Sequence, residues 1–199
     1  MIAELPFSQA CENNKTAILS VLSRVFSASQ SILEVGSGTG QHATFFAGEL
    51  AHLRWVPSET AENLAVLLPR CSEYTGDNLA PAEVLDVRQR PWPQLDIDGV
   101  FTANTLHIMG MDAVSDFFSG LGTVLEAGAH LAIYGPFNYG GSYSSASNAQ
   151  FDQWLAARNP ESAIRDFESV DQLARDIGLQ LIEDNEMPAN NRLLVWQMS

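Results

Sequence analysis

The chain has 199 residues, enough for one domain with a sizeable core, and 46% of them are apolar, the proportion of a globular fold rather than a disordered segment. Twenty-four Asp and Glu against ten Lys and Arg leave a formal charge of −14, so nucleic acid and anionic membrane meet net repulsion and are not expected as partners. Cys11 and Cys71 stand far apart, and the four histidines include no HExxH-type pair, so no metal centre is expected.

The opening MIAELPFSQACENNK has neither a basic nor an apolar leader region, and no apolar run approaches the ~18 residues of a membrane span. A soluble, cytoplasmic protein is the expectation. Ile18, Leu22, Val25 and Phe26 recur on one helix face, which predicts a helix over 14–26. SILEV at 31–35 reads as a strand, GSGTG as a turn, and QHATFFAGEL as the next helix. A strand over 53–59 follows, then a helix carrying Leu64, Leu67 and Leu68 that should stop near Pro69. VLDV (84–87), GVFTA (99–103) and HLAIYG (130–135) are short and rich in β-branched or aromatic residues, with a helical pattern over 111–125 between the last two. The Gly- and Ser-rich run 138–148 lacks periodicity and reads as a loop able to close over a ligand. Ser169 and Gln172 suggest a capping box for a helix ending at Gly178, and LQLIED and RLLVWQM read as two final strands. Seven strands alternating with helices define an α/β fold.

The strongest local signal is Glu34-Val35-Gly36-Ser37-Gly38-Thr39-Gly40, a glycine turn between a strand and a helix. Backbone without Cβ atoms approaches a ligand closely there, and the helix start offers free N–H groups. A dinucleotide turn wants a small residue at position 41, where Gln41 stands, which argues against NAD. With its acidic residue two positions before the first glycine, the run resembles motif I of class I S-adenosylmethionine-dependent methyltransferases. Glu59 closes the second strand, where a carboxylate accepts from ribose hydroxyls, and Asp86, with Val87 beside it, closes the third, where it accepts from the adenine amine. Glu34, Gly36, Ser37, Gly38, Gly40, Glu59, Asp86, Val87 and Asn104 are therefore the expected cofactor residues.

Further strings narrow the likeness: Cys11-Glu12-Asn13-Asn14-Lys15, Trp55-Val56-Pro57-Ser58-Glu59, Asn104-Thr105-Leu106-His107-Ile108, Tyr134-Gly135-Pro136-Phe137, Ser147-Asn148-Ala149-Gln150-Phe151-Asp152, Asn159-Pro160-Glu161 and Met187-Pro188-Ala189-Asn190-Asn191. Together they resemble the methyltransferase-like protein 26 family from residue 7 onward. The chain departs from that family's pattern at Asn13, where arginine is usual, at Ala17, where proline is usual, and at Ser162-Ala163, where Trp-Gly often stands. Losing that arginine weakens any N-terminal contact with an anionic substrate. The resemblance implies one Rossmann-like domain over 1–199, with a mostly parallel seven-stranded sheet whose last strand is antiparallel. It also implies S-adenosylmethionine over the carboxyl ends of the first three strands, and residues 1–28 as a helical segment covering the active site.

Asn104 and His107 follow the fourth strand and Tyr134 ends the fifth, which makes these three the expected catalytic residues. His107 is a candidate general base, with positioning as the alternative. Asn190 and Asn191 suit a turn that needs left-handed backbone, while Arg165 and Asp166 either pair together or hold substrate. The expected function is methyl transfer to a small-molecule acceptor. The alternatives are a non-catalytic cofactor-binding sensor or assembly protein, and a methyltransferase acting on a basic protein.

Overall fold

The computed structural model describes residues 4–199. Among these residues nine strands form, β1 (Ser31–Val35), β2 (Arg54–Glu59), β3 (Glu83–Val84), β4 (Gly99–Ala103), β5 (His130–Gly135), β6 (Phe137–Asn138), β7 (Arg165–Asp166), β8 (Leu179–Met187) and β9 (Asn191–Met198). Seven of them make one sheet in the order β3-β2-β1-β4-β5-β9-β8, parallel except for the antiparallel β9, and β6 pairs with β7 apart from it. The helices are α1 (Gln9–Val25), α2 (Gln41–Glu49), α3 (Leu64–Glu73), α4 (Met111–Leu121), α5 (Ala146–Arg158) and α6 (Phe167–Asp176). Among the described residues no helix is long and apolar enough to cross a membrane.

Both faces of the central strands are covered, which is why β1, β4 and β5 read as continuous apolar runs. Ile32, Trp55, Phe101 and Ala132 point to the face packed by α1 and α2, through Ile18, Leu22 and Phe46. Their neighbours Leu33, Val56, Val100 and Leu131 point to the face covered by α4 and α6, through Phe117 and Val170. The two-residue period of a strand thus feeds two cores at once. The chain runs outward from β1 to β3 and returns to β4 on the other side of β1, so the order reverses between β1 and β4. At that reversal Thr102 Oγ1 donates to the Val35 carbonyl (2.7 Å) and meets Thr105 Oγ1 (2.6 Å).

Several boundaries differ from the sequence expectation. The third strand ends at Val84 instead of Val87, because Asp86 folds back and its Oδ1 accepts from the Arg88 N–H (3.0 Å). The first helix starts five residues earlier than the apolar pattern indicates, with Ser8 as its N-cap. α3 runs through Pro69, held by buried Leu67 and by Arg70, which donates to the Thr39 and Pro6 carbonyls (3.0 and 2.6 Å). α4 stops at Leu121 instead of 125. α6 is capped at Asp166, so Ser169 lies inside it rather than starting a capping box, although Gly178 at φ +95° does close the segment as expected. The run 138–148 begins with β6 and leads into α5, a helix whose weak apolar periodicity hid it.

Candidate functional site

The glycine turn leaves β1 beside the reversal. Gly36 and Ser37 donate backbone N–H groups to the Ser58 carbonyl (3.1 and 2.9 Å), and Ser37 Oγ accepts from the Ser58 N–H (3.1 Å), which pins the turn to β2. Gly36, at φ +74°, is required for packing, since a Cβ there would sit 2.7 Å from Thr105 Cγ2. Gly38, at φ +55°, has a different reason: no protein atom lies within 4 Å of where its Cβ would be, so the missing side chain leaves a cradle. Glu59, 8% exposed, accepts from the Gly38 N–H through Oε1 (3.0 Å) and from Thr60 N–H through Oε2 (2.8 Å).

Gly36, Ser37, Gly38, Glu59, Asp86, Val87, Asn104, His107 and Tyr134 all line one cavity of about 880 Å³. Glu34 and Gly40 do not reach it. Glu34 is buried beneath the turn, where Trp55 Nε1 donates to its Oε2 (2.9 Å), and burial foremost pushes its carboxyl up to about 7. Gly40 is the N-cap of α2.

From the turn the cavity extends along the carboxyl ends of β4 and β5. Asn104 takes a left-handed φ of +59° and donates its N–H to the Tyr134 carbonyl (2.8 Å), fixing one strand end on the other. His107 is 7% exposed and stands edge-on to Phe151, with centroids 5.3 Å apart. Burial, then the Arg165 charge, pushes its imidazole down to about 4. Among the described residues neither the Asn104 amide nor the His107 ring has a hydrogen-bond partner. Arg165 is not a substrate clamp: it donates to the carbonyls of Leu106 (3.1 Å), Met109 and Glu161 (2.8 Å), bracing the turn that carries His107. Burial raises the Tyr134 hydroxyl above the usual range, with the side chains of Asn14 and Asn191 pulling it the other way, and Asn14 Oδ1 meets His42 Nε2 (2.7 Å).

Helix α1 roofs this space with Ser8, Cys11 and Asn14. Its entry is tied to the glycine turn by Gln41, whose Oε1 accepts from the Ser8 N–H and Thr39 Oγ1 (2.5 and 3.0 Å). Gln41 Nε2 donates to the Ser8 carbonyl and Glu12 Oε1 (3.3 and 2.8 Å). The residue that breaks the dinucleotide pattern is thus a fastener for the roof. Sequence reasoning missed the lining residues Asn14, His42, Asn148, Phe151 and Trp154. The Phe151/Trp154 i, i+3 spacing was the available signal, and it lay in a helix that periodicity did not reveal. Asn190 takes the left-handed turn conformation (φ +58°), while Asn191 faces the cavity. Asn148 Nδ2 donates to the Asn190 carbonyl (3.2 Å), which joins α5 to that turn.

A family model described as "Protein of unknown function (DUF938)" matches residues 5–198. Among solved structures, an O-methyltransferase family protein from Burkholderia thailandensis superposes with a TM-score of 0.81 at 14% identity, covering 93% of this chain and 56% of that one. An O-methyltransferase family 2 protein from Planctomyces limnophilus DSM 3776, solved in complex with apigenin, gives 0.80 at 15% identity, covering 96% and 58%. Human N-acetylserotonin methyltransferase in complex with SAM gives 0.74 at 12% identity, covering 93% and 55%. The likeness shows a Rossmann-like methyltransferase fold, and this chain spans little more than half the length of each of these three.

Proposed function

This chain belongs to the DUF938 family, and on that premise we propose that it is an S-adenosylmethionine-dependent methyltransferase acting on a small-molecule acceptor. The observation that carries the reading is the single cavity that joins the Gly38 cradle and Glu59 to Asn104, His107 and Tyr134 across the strand-order reversal. The solved structures with this fold include one in complex with SAM, which supports the cofactor assignment. The strings from Cys11 to Asn191 support a finer kinship with methyltransferase-like protein 26.

The residues present fit the cofactor, because the cradle at Gly38 is shaped for backbone approach and both neighbouring acids accept hydrogen bonds. When bound, S-adenosylmethionine supplies a methyl group on a sulfonium. Glu59 would accept from the ribose hydroxyls and Asp86 from the adenine amine, with Val87 beside them in the lining. Asn104 stands where the two ends of the cavity meet and orients both partners. α1 and α5 exclude water, and the buried Tyr134, beside Asn14 and Asn191 in the lining, holds the acceptor in line. His107 positions the hydroxyl or amine acceptor, and as a neutral imidazole it is available to receive the proton that acceptor releases. Its depressed basicity leaves alignment as the larger contribution.

Labelled S-adenosylmethionine incubated with the protein and fractionated cytoplasmic extract tests this directly. Label is expected in a small-molecule fraction. Measurable cofactor binding with no label in any fraction would point to a sensor, and label in basic proteins to the protein-acceptor alternative.

A further inference from the structure

The two ends of the cavity differ in charge. Its acidic and guanidinium side chains, Glu59, Asp86 and Arg88, all belong to the end formed by β2 and the segment after β3. Around the other end the titratable groups are His107, Tyr134, His42 and Cys11. Burial holds both imidazoles down to about 4 and raises the phenol and the thiol, so all four are uncharged at neutral pH.

The charges nearest to that end are occupied elsewhere. Arg165 is spent on three backbone carbonyls. Asp152 accepts from the Ile164 N–H (2.6 Å) and the Tyr143 hydroxyl (2.7 Å), and the Arg158 guanidinium lies 3.9 Å from the centre of the Trp154 ring. A carboxylate entering here would lose water without gaining a buried cationic partner, and an ammonium would find ring faces but no free carboxylate.

The wall is aromatic. Phe151 and Trp154 stack at 5.7 Å with an interplanar angle of 22°, and His107 meets Phe151 edge-on, so three rings run from the buried interior to the mouth. At the mouth Ile108 and Trp154 are 54% and 48% exposed, an apolar rim on which the Arg158 guanidinium covers one part of the Trp154 ring. Against these rings stand neutral polar groups, the Asn104 amide and the His107 ring, both without a protein partner. Rings present flat faces and positive edges that match other rings, and unpartnered amides match neutral donors and acceptors.

We propose that this end of the cavity takes an uncharged, flat aromatic molecule bearing one neutral hydrogen-bonding group. The proposal rests on the methyltransferase reading, in which such a molecule is the acceptor, and it narrows that reading to one substrate class. The ring lies along Phe151 and Trp154, and the polar group reaches Asn104 and His107.

Calorimetry on the protein saturated with S-adenosylhomocysteine tests it with three probes of one shape: 2-naphthol, 2-naphthoate and 2-naphthylmethylammonium, at pH 7. 2-Naphthol is expected to bind about tenfold or more tightly than either charged probe, the scale set by desolvating an unpaired charge. Trp154→Ala, at a half-exposed position that tolerates truncation, should weaken 2-naphthol about tenfold while leaving S-adenosylhomocysteine affinity intact. Phe151→Leu, which keeps the volume apolar, should do the same.

Equal or tighter binding of a charged probe overturns the proposal, as does unchanged 2-naphthol affinity in both variants. S-Adenosylhomocysteine binding is measured separately by the same method. Its absence would overturn the methyltransferase reading, whereas its presence with the wrong probe preference would overturn only the acceptor class.

Discussion

The two ends of the cavity are built on opposite principles. At the β1–β2 end a backbone turn without side chains faces an ionised carboxylate, and recognition depends on where main chain can go. At the β4–β5 end the backbone is covered, and amides, rings and neutral titratable groups face inward from α1, α5 and the turn before β9. The first suits a ligand common to a whole fold, since its elements follow from the sheet edge itself. The second is assembled from segments far apart in sequence, so its chemistry is free to vary without disturbing the first.

The largest expected effect is Gly38→Val. A branched side chain there fills the cradle and resists φ +55°, so the melting-temperature rise caused by S-adenosylhomocysteine should vanish, a loss of about 100-fold or more in affinity. Gly36→Val should instead lower stability, because its clash is with Thr105. Normal cofactor binding in Gly38→Val would erase the distinction between the ends.

Glu34, beneath the cofactor end, separates the ends by pH. Its folded-state carboxyl is raised from 4.5 to about 7, so its contribution is full below pH 4.5 and is lost as pH rises through 7, at a scale of about 3 kcal/mol. Chemical denaturation of Glu34→Gln should flatten that alkaline loss. At the β4–β5 end His107 is lowered from 6.5 to about 4, so its contribution is present above pH 6.5 and lost as pH falls through 4. An alkaline slope that persists in Glu34→Gln would move the effect to another group.

Glu59→Ala should cost cofactor affinity about 2–3 kcal/mol, measured by titration calorimetry, while leaving probe binding at the other end unchanged. Reciprocally, Asn104→Ala and His107→Ala should keep near-normal S-adenosylhomocysteine affinity while turnover drops. For His107→Ala the drop expected for a positioning role is about 10-fold to 100-fold in kcat. The wild-type kcat should stay flat from pH 8 to about 5, since the imidazole is already neutral there. An acid limb near pH 6.5 that disappears in His107→Ala would instead make His107 a base of ordinary strength.

The smallest effect concerns the roof. Gln41→Ala removes the amide that joins Ser8, Thr39 and Glu12, so α1 should open more readily and S-adenosylhomocysteine should leave about 5-fold to 10-fold faster in stopped-flow, with modest loss of overall stability. An unchanged release rate would mean that the ligand exits without moving α1.

Much of this fold was legible in the chain because it is local. SILEV, GVFTA and HLAIYG are apolar on both faces, and only a covered parallel sheet uses such strands, while Gly36 and Gly38 mark a turn by lacking side chains. Glu34 misled by the same logic: its place before the glycines is readable, but whether its carboxyl points to the cavity or to Trp55 depends on how β1 packs against β2. α5 was illegible for a physical reason, because it is a mixed-face helix whose order comes from the Ser145 cap and from tethers to Ile164 and Asn190. By itself, then, the sequence determined the seven strands of the main sheet, though not β6 and β7, their alternation with helices, and the glycine turn at the end of β1. Only the tertiary structure decided that Asn14, Tyr134 and Asn191 line one cavity, that Arg165 donates to three backbone carbonyls, and that the β4–β5 end is lined by neutral side chains. Those facts depend on burial and on contacts between distant segments, and neither is written in any local pattern.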